Sequence, residues 1–152
     1  MMNIRRAAAV LLALLMLLLA PAALAKTITV DAADYDVEEG GRYDTMEEVA
    51  IYLTFFDELP ENYITKKEAQ ALGWDNRKGN LWKVADGCSI GGDRFGNYEG
   101  RLPDRAGRIW YECDVNYSGG DRGAERLVYS SDGLIYYTAD HYETFTLLYG
   151  EE

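Results

Sequence analysis

Arg-Leu-Val-Tyr-Ser-Ser-Asp-Gly-Leu-Ile-Tyr-Tyr-Thr, residues 126–138, sets two runs rich in β-branched and aromatic side chains on either side of Asp132-Gly133. Such side chains fit a pleated, half-buried surface, and an Asp-Gly pair tolerates the positive φ angles of a tight hairpin turn. The stretch therefore predicts two antiparallel strands, 126–130 and 134–138. Outward from this hairpin, segments 89–94, 109–115 and 144–148 have the same composition and are bounded by turn residues. Before Gly87 the pattern becomes helical. Thr45 can cap a helix on which Met46, Val49, Leu53 and Phe56 recur at three- and four-residue spacing, with Glu47 and Glu48 near its positive end and Leu59-Pro60 stopping it. Thr65-Lys66-Lys67-Glu68 is a capping box opening a short helix that ends at Gly73. Asn80 stands where it can cap a single turn through Ala85. Helices first and strands afterwards is the order of an α+β domain, with N-terminal helices packed on one face of a roughly five-stranded antiparallel β-sheet.

At the N-terminus, Arg5 and Arg6 precede an apolar run from Ala7 to Ala20, then Pro21 and Ala23-Leu24-Ala25. This is the pattern of a secretory signal peptide, residues 1–25, cut after Ala25. A membrane anchor would need roughly 20 apolar residues and no small-residue cleavage pattern, so the chain is expected outside the cell with no membrane attachment after cleavage. Residues 26–44 are acidic and poor in large apolar side chains, and read as a flexible leader or pro-segment. Their aspartates lack the glycine and terminal glutamate of a calcium loop. Residues 45–152 then make one domain with a single core.

The chain has 15 Lys and Arg against 26 Asp and Glu. Arg5 and Arg6 leave with the signal, so the mature chain has 13 basic residues against the same 26 acidic ones and a net charge of −13. Such a protein is no general polyanion binder, and any nucleic-acid function must rest on a local basic cluster. The two cysteines, Cys88 and Cys113, lack the CxxC spacing of a metal pair, and one histidine cannot complete a zinc site. In an oxidising compartment an even pair of cysteines reads as a disulfide joining the ends of neighbouring strands. No metal or cofactor site is expected.

That one histidine, His141, lies in the polar connection Ala139-Asp140-His141-Tyr142 between the last two strands. Glu112 lies on a strand, Arg122 and Arg126 follow the next loop, and Lys66 opens a helix. Cleavage of RNA needs a base to take the ribose 2′-OH proton and an acid to protonate the departing 5′-oxygen. It also needs cations to meet the charge that grows on the phosphate. By spacing alone, Glu112 and Arg126 are equally well read as a sheet-surface ion pair.

Four segments are decisive: Leu-Pro-Glu-Asn-Tyr-Ile-Thr-Lys-Lys-Glu-Ala-Gln-Ala-Leu-Gly-Trp (59–74), Ser-Ile-Gly-Gly-Asp-Arg-Phe-Gly-Asn-Tyr-Glu-Gly-Arg-Leu-Pro (89–103), Gly-Arg-Ile-Trp-Tyr-Glu-Cys-Asp-Val-Asn-Tyr (107–117) and Tyr-Ser-Ser-Asp-Gly-Leu-Ile-Tyr-Tyr-Thr-Ala-Asp-His-Tyr-Glu-Thr-Phe-Thr (129–146). In order and spacing they closely resemble the guanyl-specific microbial ribonucleases of the barnase type, without apparent gap from about Thr45 to Leu147. The resemblance implies the microbial ribonuclease fold, with Glu112 as general base and His141 as general acid. Lys66, Arg122 and Arg126 would stabilise the phosphoryl transition state. Phe95-Gly96-Asn97-Tyr98-Glu99 would be the guanine site, with Glu99 accepting from N1 and N2, and Tyr142 would border it. Asp93, Asp114, Arg108 and Asp132 match ion-pair positions of the family and read as orienting. The implied substrate is single-stranded RNA, cut 3′ of guanosine through a 2′,3′-cyclic phosphate by a monomer. An enzyme of this kind endangers its maker, so the resemblance also implies a small acidic inhibitor of the barstar type in the producing cell.

Departures from the family pattern fall at Tyr98, where an arginine is expected, at Gly96 for serine, at Gly133 for tryptophan, and at both cysteines. Two other classes compete: a ribonuclease-fold domain that binds at the old pocket without turnover, and a phosphate scavenger. The first would be expected to have lost Glu112, His141 or an arginine, and the second leaves the guanine loop unexplained.

Overall fold

The computed structural model describes residues 28–152; the expected signal peptide lies outside them. Helix α1 (Met46–Phe56) is capped by Thr45, whose hydroxyl accepts from the Glu48 amide, and closes at Asp57 in the left-handed region. Short strand β1 (Tyr63–Ile64) leads into α2 (Lys66–Ala71), where Thr65 and Glu68 form the full capping box. The single turn α3 (Leu81–Val84) follows. Asn80 precedes it without capping it. Its side chain instead accepts from the Asp75 amide at 2.8 Å and donates to the Gly73 carbonyl at 3.1 Å, bridging the loop between α2 and α3.

Strands β2 (Ser89–Phe95), β3 (Trp110–Asp114), β4 (Arg126–Ser130), β5 (Ile135–Thr138) and β6 (Thr146–Tyr149) follow. They form an antiparallel meander, to which β1 adds a sixth, parallel strand at the β2 edge. The fold is α+β as expected. The sheet is one strand wider because β1, only two residues long, is too short to show a period.

Val49, Ala50 and Leu53 of α1 pack with Cys113, Leu127 and Ile135 of the sheet in the main core cluster. Leu102, Trp110, Val128, Leu134 and Tyr136 form another, continued by Phe95, Tyr142 and Phe145 toward the cleft described below. Between Gly91 and Asp93 the β2–β3 register slips, and Gly92 there has φ of +92°. The bulge re-aims Asp93, whose carboxylate accepts from the Lys66 amide at 2.9 Å and so ties the start of α2 to the sheet.

One expectation is corrected. Cys88 and Cys113 are both free thiols. Cys113 sits opposite Gly91, three residues beyond Cys88, which places the two about 10 Å apart along the strand at ~3.3 Å per residue. That exceeds the roughly 7 Å Cα separation a disulfide can span. Cys113 packs instead against Gly91, where a Cβ would fall 2.6 Å from the Cys113 Cβ, and burial pushes its thiol well up, so it behaves as a small hydrophobe. The acidic stretch before Thr45 touches the domain from Ile28 onward. Ile28 and Val30 pack on the main core, Tyr149 donates to the Val30 carbonyl at 2.9 Å, and Tyr52 accepts from the Gly40 amide at 2.9 Å.

Candidate active site

Glu112 lies at the middle of β3 with its side chain only 9% exposed. A carboxylate so placed needs partners. Lys66, delivered by the start of α2, approaches one oxygen at 2.6 Å, and the Tyr142 hydroxyl donates to the other. Burial first, and the Glu112 carboxylate second, push the Tyr142 phenol well up, so it stays protonated and remains a donor.

Two residues further along β3, and so on the same face, Asp114 is buried and holds two arginines. Arg122 makes a fork of two 2.7 Å bonds through Nε and Nη2. Arg126 Nε stands 2.9 Å from Asp114 Oδ1, but its N–H is not aimed for a hydrogen bond, so this contact is an ion pair only. Arg126 is fixed instead through Nη1, which donates to the Gly123 and Glu125 carbonyls at 2.8 and 2.7 Å. Tyr63 donates to the Asp114 carbonyl at 2.6 Å, a support with no signal in the sequence pattern.

His141 is exposed, and both it and Tyr142 have positive φ, +55° and +73°. Consecutive non-glycine residues there are strained and persist only where the surroundings hold them. Asp140 does most of this. Its carboxylate accepts from the Thr144 hydroxyl at 2.6 Å and amide at 2.9 Å, from the Glu143 amide at 3.1 Å and from the Thr138 hydroxyl at 2.9 Å. The His141 amide donates to Ala124 at 3.2 Å, next to the arginine loop.

These bonds, the Thr144 hydroxyl first, pull the Asp140 carboxyl down to about 2. Asp132, bonded first by Arg108, also falls to about 2. Both folded values lie below the unfolded value of roughly 3.9. Their stabilisation is therefore fully present above about pH 4 and is lost as pH falls toward 2. In urea denaturation the stability difference between wild type and Asp140→Asn should be constant at neutral pH and shrink through that window. A difference that stayed constant down to pH 2 would contradict the assignment.

Residues 95–101 form the opposite wall. Phe95 stacks obliquely on Tyr142 with ring centres 5.1 Å apart. Asn97, with φ of +47°, is buried and shapes the loop from within: its amide nitrogen donates to Leu102 at 2.9 Å and Asp104 at 3.0 Å, while its oxygen accepts from Leu102 at 3.1 Å. Its side chain therefore faces the protein, leaving backbone to face a ligand. Tyr98 is 99% exposed, and its ring lies over Gly96, where a Cβ would fall 2.1 Å from it. Glu99 is exposed and paired with Arg101 at 3.0 Å.

Phe95, Gly96, Asn97, Tyr98, Glu99, Glu112, His141 and Tyr142 thus line one cleft of ≈ 460 Å³, joined by Arg94, Arg101, Glu143 and Phe145. Lys66 and Arg122 line an adjoining hollow with Trp74 and Arg77, and His141, Arg122 and Arg126 meet in another. Because His141 and Arg122 are shared between hollows, the trough is continuous. Among the expected site residues only the cysteines stand apart from it. Arg94, Arg101, Asp140, Glu143 and Phe145 are site residues that the sequence patterns do not single out.

The ribonuclease family pattern matches residues 47–149. A ribonuclease of Bacillus pumilus is 55% identical over 128 residues, covering 84% of this chain and 78% of that protein. One from Heyndrickxia coagulans is 61% identical over 102 residues, covering 67% and 94%. Guanyl-specific ribonuclease St of Saccharopolyspora erythraea is 49% identical over 57 residues, covering 37% and 56%.

Proposed function

Given that the chain belongs to the ribonuclease family, we propose that it cleaves single-stranded RNA on the 3′ side of guanosine, without a metal ion, by general acid–base catalysis. The observation that carries this reading is the placing of Glu112, His141 and Glu99 on the walls of one cleft, with the Glu112 carboxylate pinned by Lys66 and Tyr142. Glu112 takes the 2′-OH proton as that oxygen attacks phosphorus, and the His141 imidazolium gives a proton to the departing 5′-oxygen. The 2′,3′-cyclic phosphate is then hydrolysed to a 3′-phosphate with the two roles reversed. Lys66, Arg122 and Arg126 meet the charge that develops on the phosphoryl oxygens, Arg122 with its plane fixed by Asp114 and Arg126 held by the Gly123 and Glu125 carbonyls.

Glu99 accepts from the N1 and N2 hydrogens of guanine, which adenine does not present, and Phe95 with Tyr142 gives the base an apolar wall. The guanyl-specific relative supports this choice of base. The N-terminal sequence pattern supports export from the cell, after which the domain acts as a monomer; the maker is protected by an acidic inhibitor. Purified protein offered GpN and ApN dinucleotides in chelator tests the reading. Cleavage of GpN well ahead of ApN, through a cyclic phosphate, is expected. Binding of guanylates without turnover would favour a ribonuclease-fold binding domain instead.

The acidity has its own consequence at Tyr98. Each phosphate contact adds to the salt dependence of nucleic-acid binding. With tyrosine in place of a cation and a mature charge of −13, distant charges repel the polymer, while the cations at the cleft act on one phosphate within a Debye length of ~8 Å. Tyr98→Arg should therefore raise kcat/KM on long RNA more than on GpN and steepen its fall with salt. A steep wild-type salt slope that the substitution leaves unchanged would mean that the acidic surface lies away from the RNA path.

A further inference from the structure

Arg101 touches both walls of the cleft. Its Nε stands 3.0 Å from Glu99 Oε2, on the base-reading loop. Its Nη1 donates to the Tyr142 carbonyl at 2.9 Å, to the Glu143 carbonyl at 2.8 Å and to the Glu143 carboxylate at 3.0 Å, on the turn that carries His141. Among the described residues, these are the hydrogen bonds and ion pairs that join loop 96–101 to turn 139–144. The turn they reach is the strained one, with His141 and Tyr142 both at positive φ.

We propose that Arg101 is a positioning residue that couples base recognition to proton donation: it holds the Glu99 carboxylate toward the base and, through the same guanidinium, the His141 turn toward the leaving oxygen. The inference rests on the ribonuclease reading of this cleft. The chemistry suits arginine, whose rigid fork can serve partners on two sides at once, whereas a lysine ammonium is one point on a flexible stem. Glu99 meets Arg101 as an ion pair without a directed hydrogen bond, and a carboxylate has lone pairs for both a guanidinium and the two hydrogens of guanine. Guanine bound at Glu99 then completes a chain from base to Glu99, Arg101, the Tyr142 and Glu143 carbonyls and the His141 backbone. A base that does not engage Glu99 leaves the loop end of that chain slack, so the acid is less well placed. The coupling is a difference in turnover as well as in binding.

Steady-state kinetics of wild type, Arg101→Met and Arg101→Lys on GpN and ApN test this, with thermal melts of each. Arg101→Met should lower kcat on GpN about 10–100-fold, the range expected for loss of charge-assisted hydrogen bonds. It should also narrow the GpN-to-ApN ratio, while Arg101→Lys recovers only part of either. A rise in KM alone, equal for both dinucleotides, would reduce Arg101 to a phosphate-attracting charge and overturn the coupling, as would unchanged kcat and ratio. An inactive wild type would instead overturn the ribonuclease reading itself, so the two failures are distinguishable.

Discussion

His141→Ala should turn over GpN dinucleotides about 10²–10⁴ times more slowly than wild type, the usual contribution of a general acid or base, and Glu112→Gln should lose a similar factor. Glu112 must be ionised and His141 protonated for the first step, so wild-type kcat/KM should follow a bell-shaped pH curve. In His141→Ala the alkaline limb should vanish, and in Glu112→Gln the acid limb. The losses should not add in the double variant, because residues that act on one transition state as a unit are strongly non-additive. Neither change should unfold the protein: His141 is exposed, and glutamine at 112 keeps one oxygen to accept from Lys66 while its amide NH2 can donate to the Tyr142 hydroxyl oxygen. Turnover by His141→Ala close to wild type, or loss of wild-type activity in chelator, would refute the assignment.

Asp114→Ala should be the most costly single substitution for the fold near this site. Asp114 and Arg126 are almost wholly buried, with side chains 3% and 4% exposed, and Arg122 is nearly so at 14%. Removing the carboxylate leaves two guanidinium groups side by side with like charge and without the carboxylate that pairs with both. Breaking a buried pair in this way costs about 3–5 kcal/mol, far more than a surface pair is worth. Urea midpoints at neutral pH measure it. The fold should also lose activity before it unfolds, since the plane of Arg122 and the charge balance of both arginines depend on the same carboxylate. A loss below about 1 kcal/mol would show that the arginines reach solvent without difficulty, contrary to their burial.

The parts of the fold legible in the sequence were those with a repeating physical signal. The apolar spacing of Met46, Val49 and Leu53 puts one face of α1 on the sheet, and all three are buried there. The hairpin at Asp132-Gly133 follows from turn chemistry, and Gly133 has φ of +99°. Strand β1 was missed because its two residues pair through the backbone and carry no pattern of their own. Asn80 has the right residue type for a cap, but its side chain finds better partners across the loop. The cysteine pairing failed because number and compartment say nothing about register, and register places Cys113 opposite Gly91. The acidic stretch before Thr45 has little apolar pattern of its own, and the contacts of Ile28 and Val30 with the core come from single side chains that composition does not foretell. At the site, Glu112, His141 and the cations were placed by resemblance, since spacing alone left Glu112 as one half of an ion pair. Arg101 had no signal at all: its partners at Tyr142 and Glu143 lie 41 and 42 residues away.

The most direct test of the acid and base assignment changes the leaving group. An aryl ester of guanosine 3′-phosphate releases a phenolate that needs no proton, whereas GpN releases an alkoxide that does. With kcat/KM measured for both substrates, His141→Ala should be impaired about 10²–10⁴-fold on GpN and little on the aryl ester, and Glu112→Gln should be impaired on both. Equal impairment of His141→Ala on the two substrates would mean that His141 does not protonate the leaving oxygen.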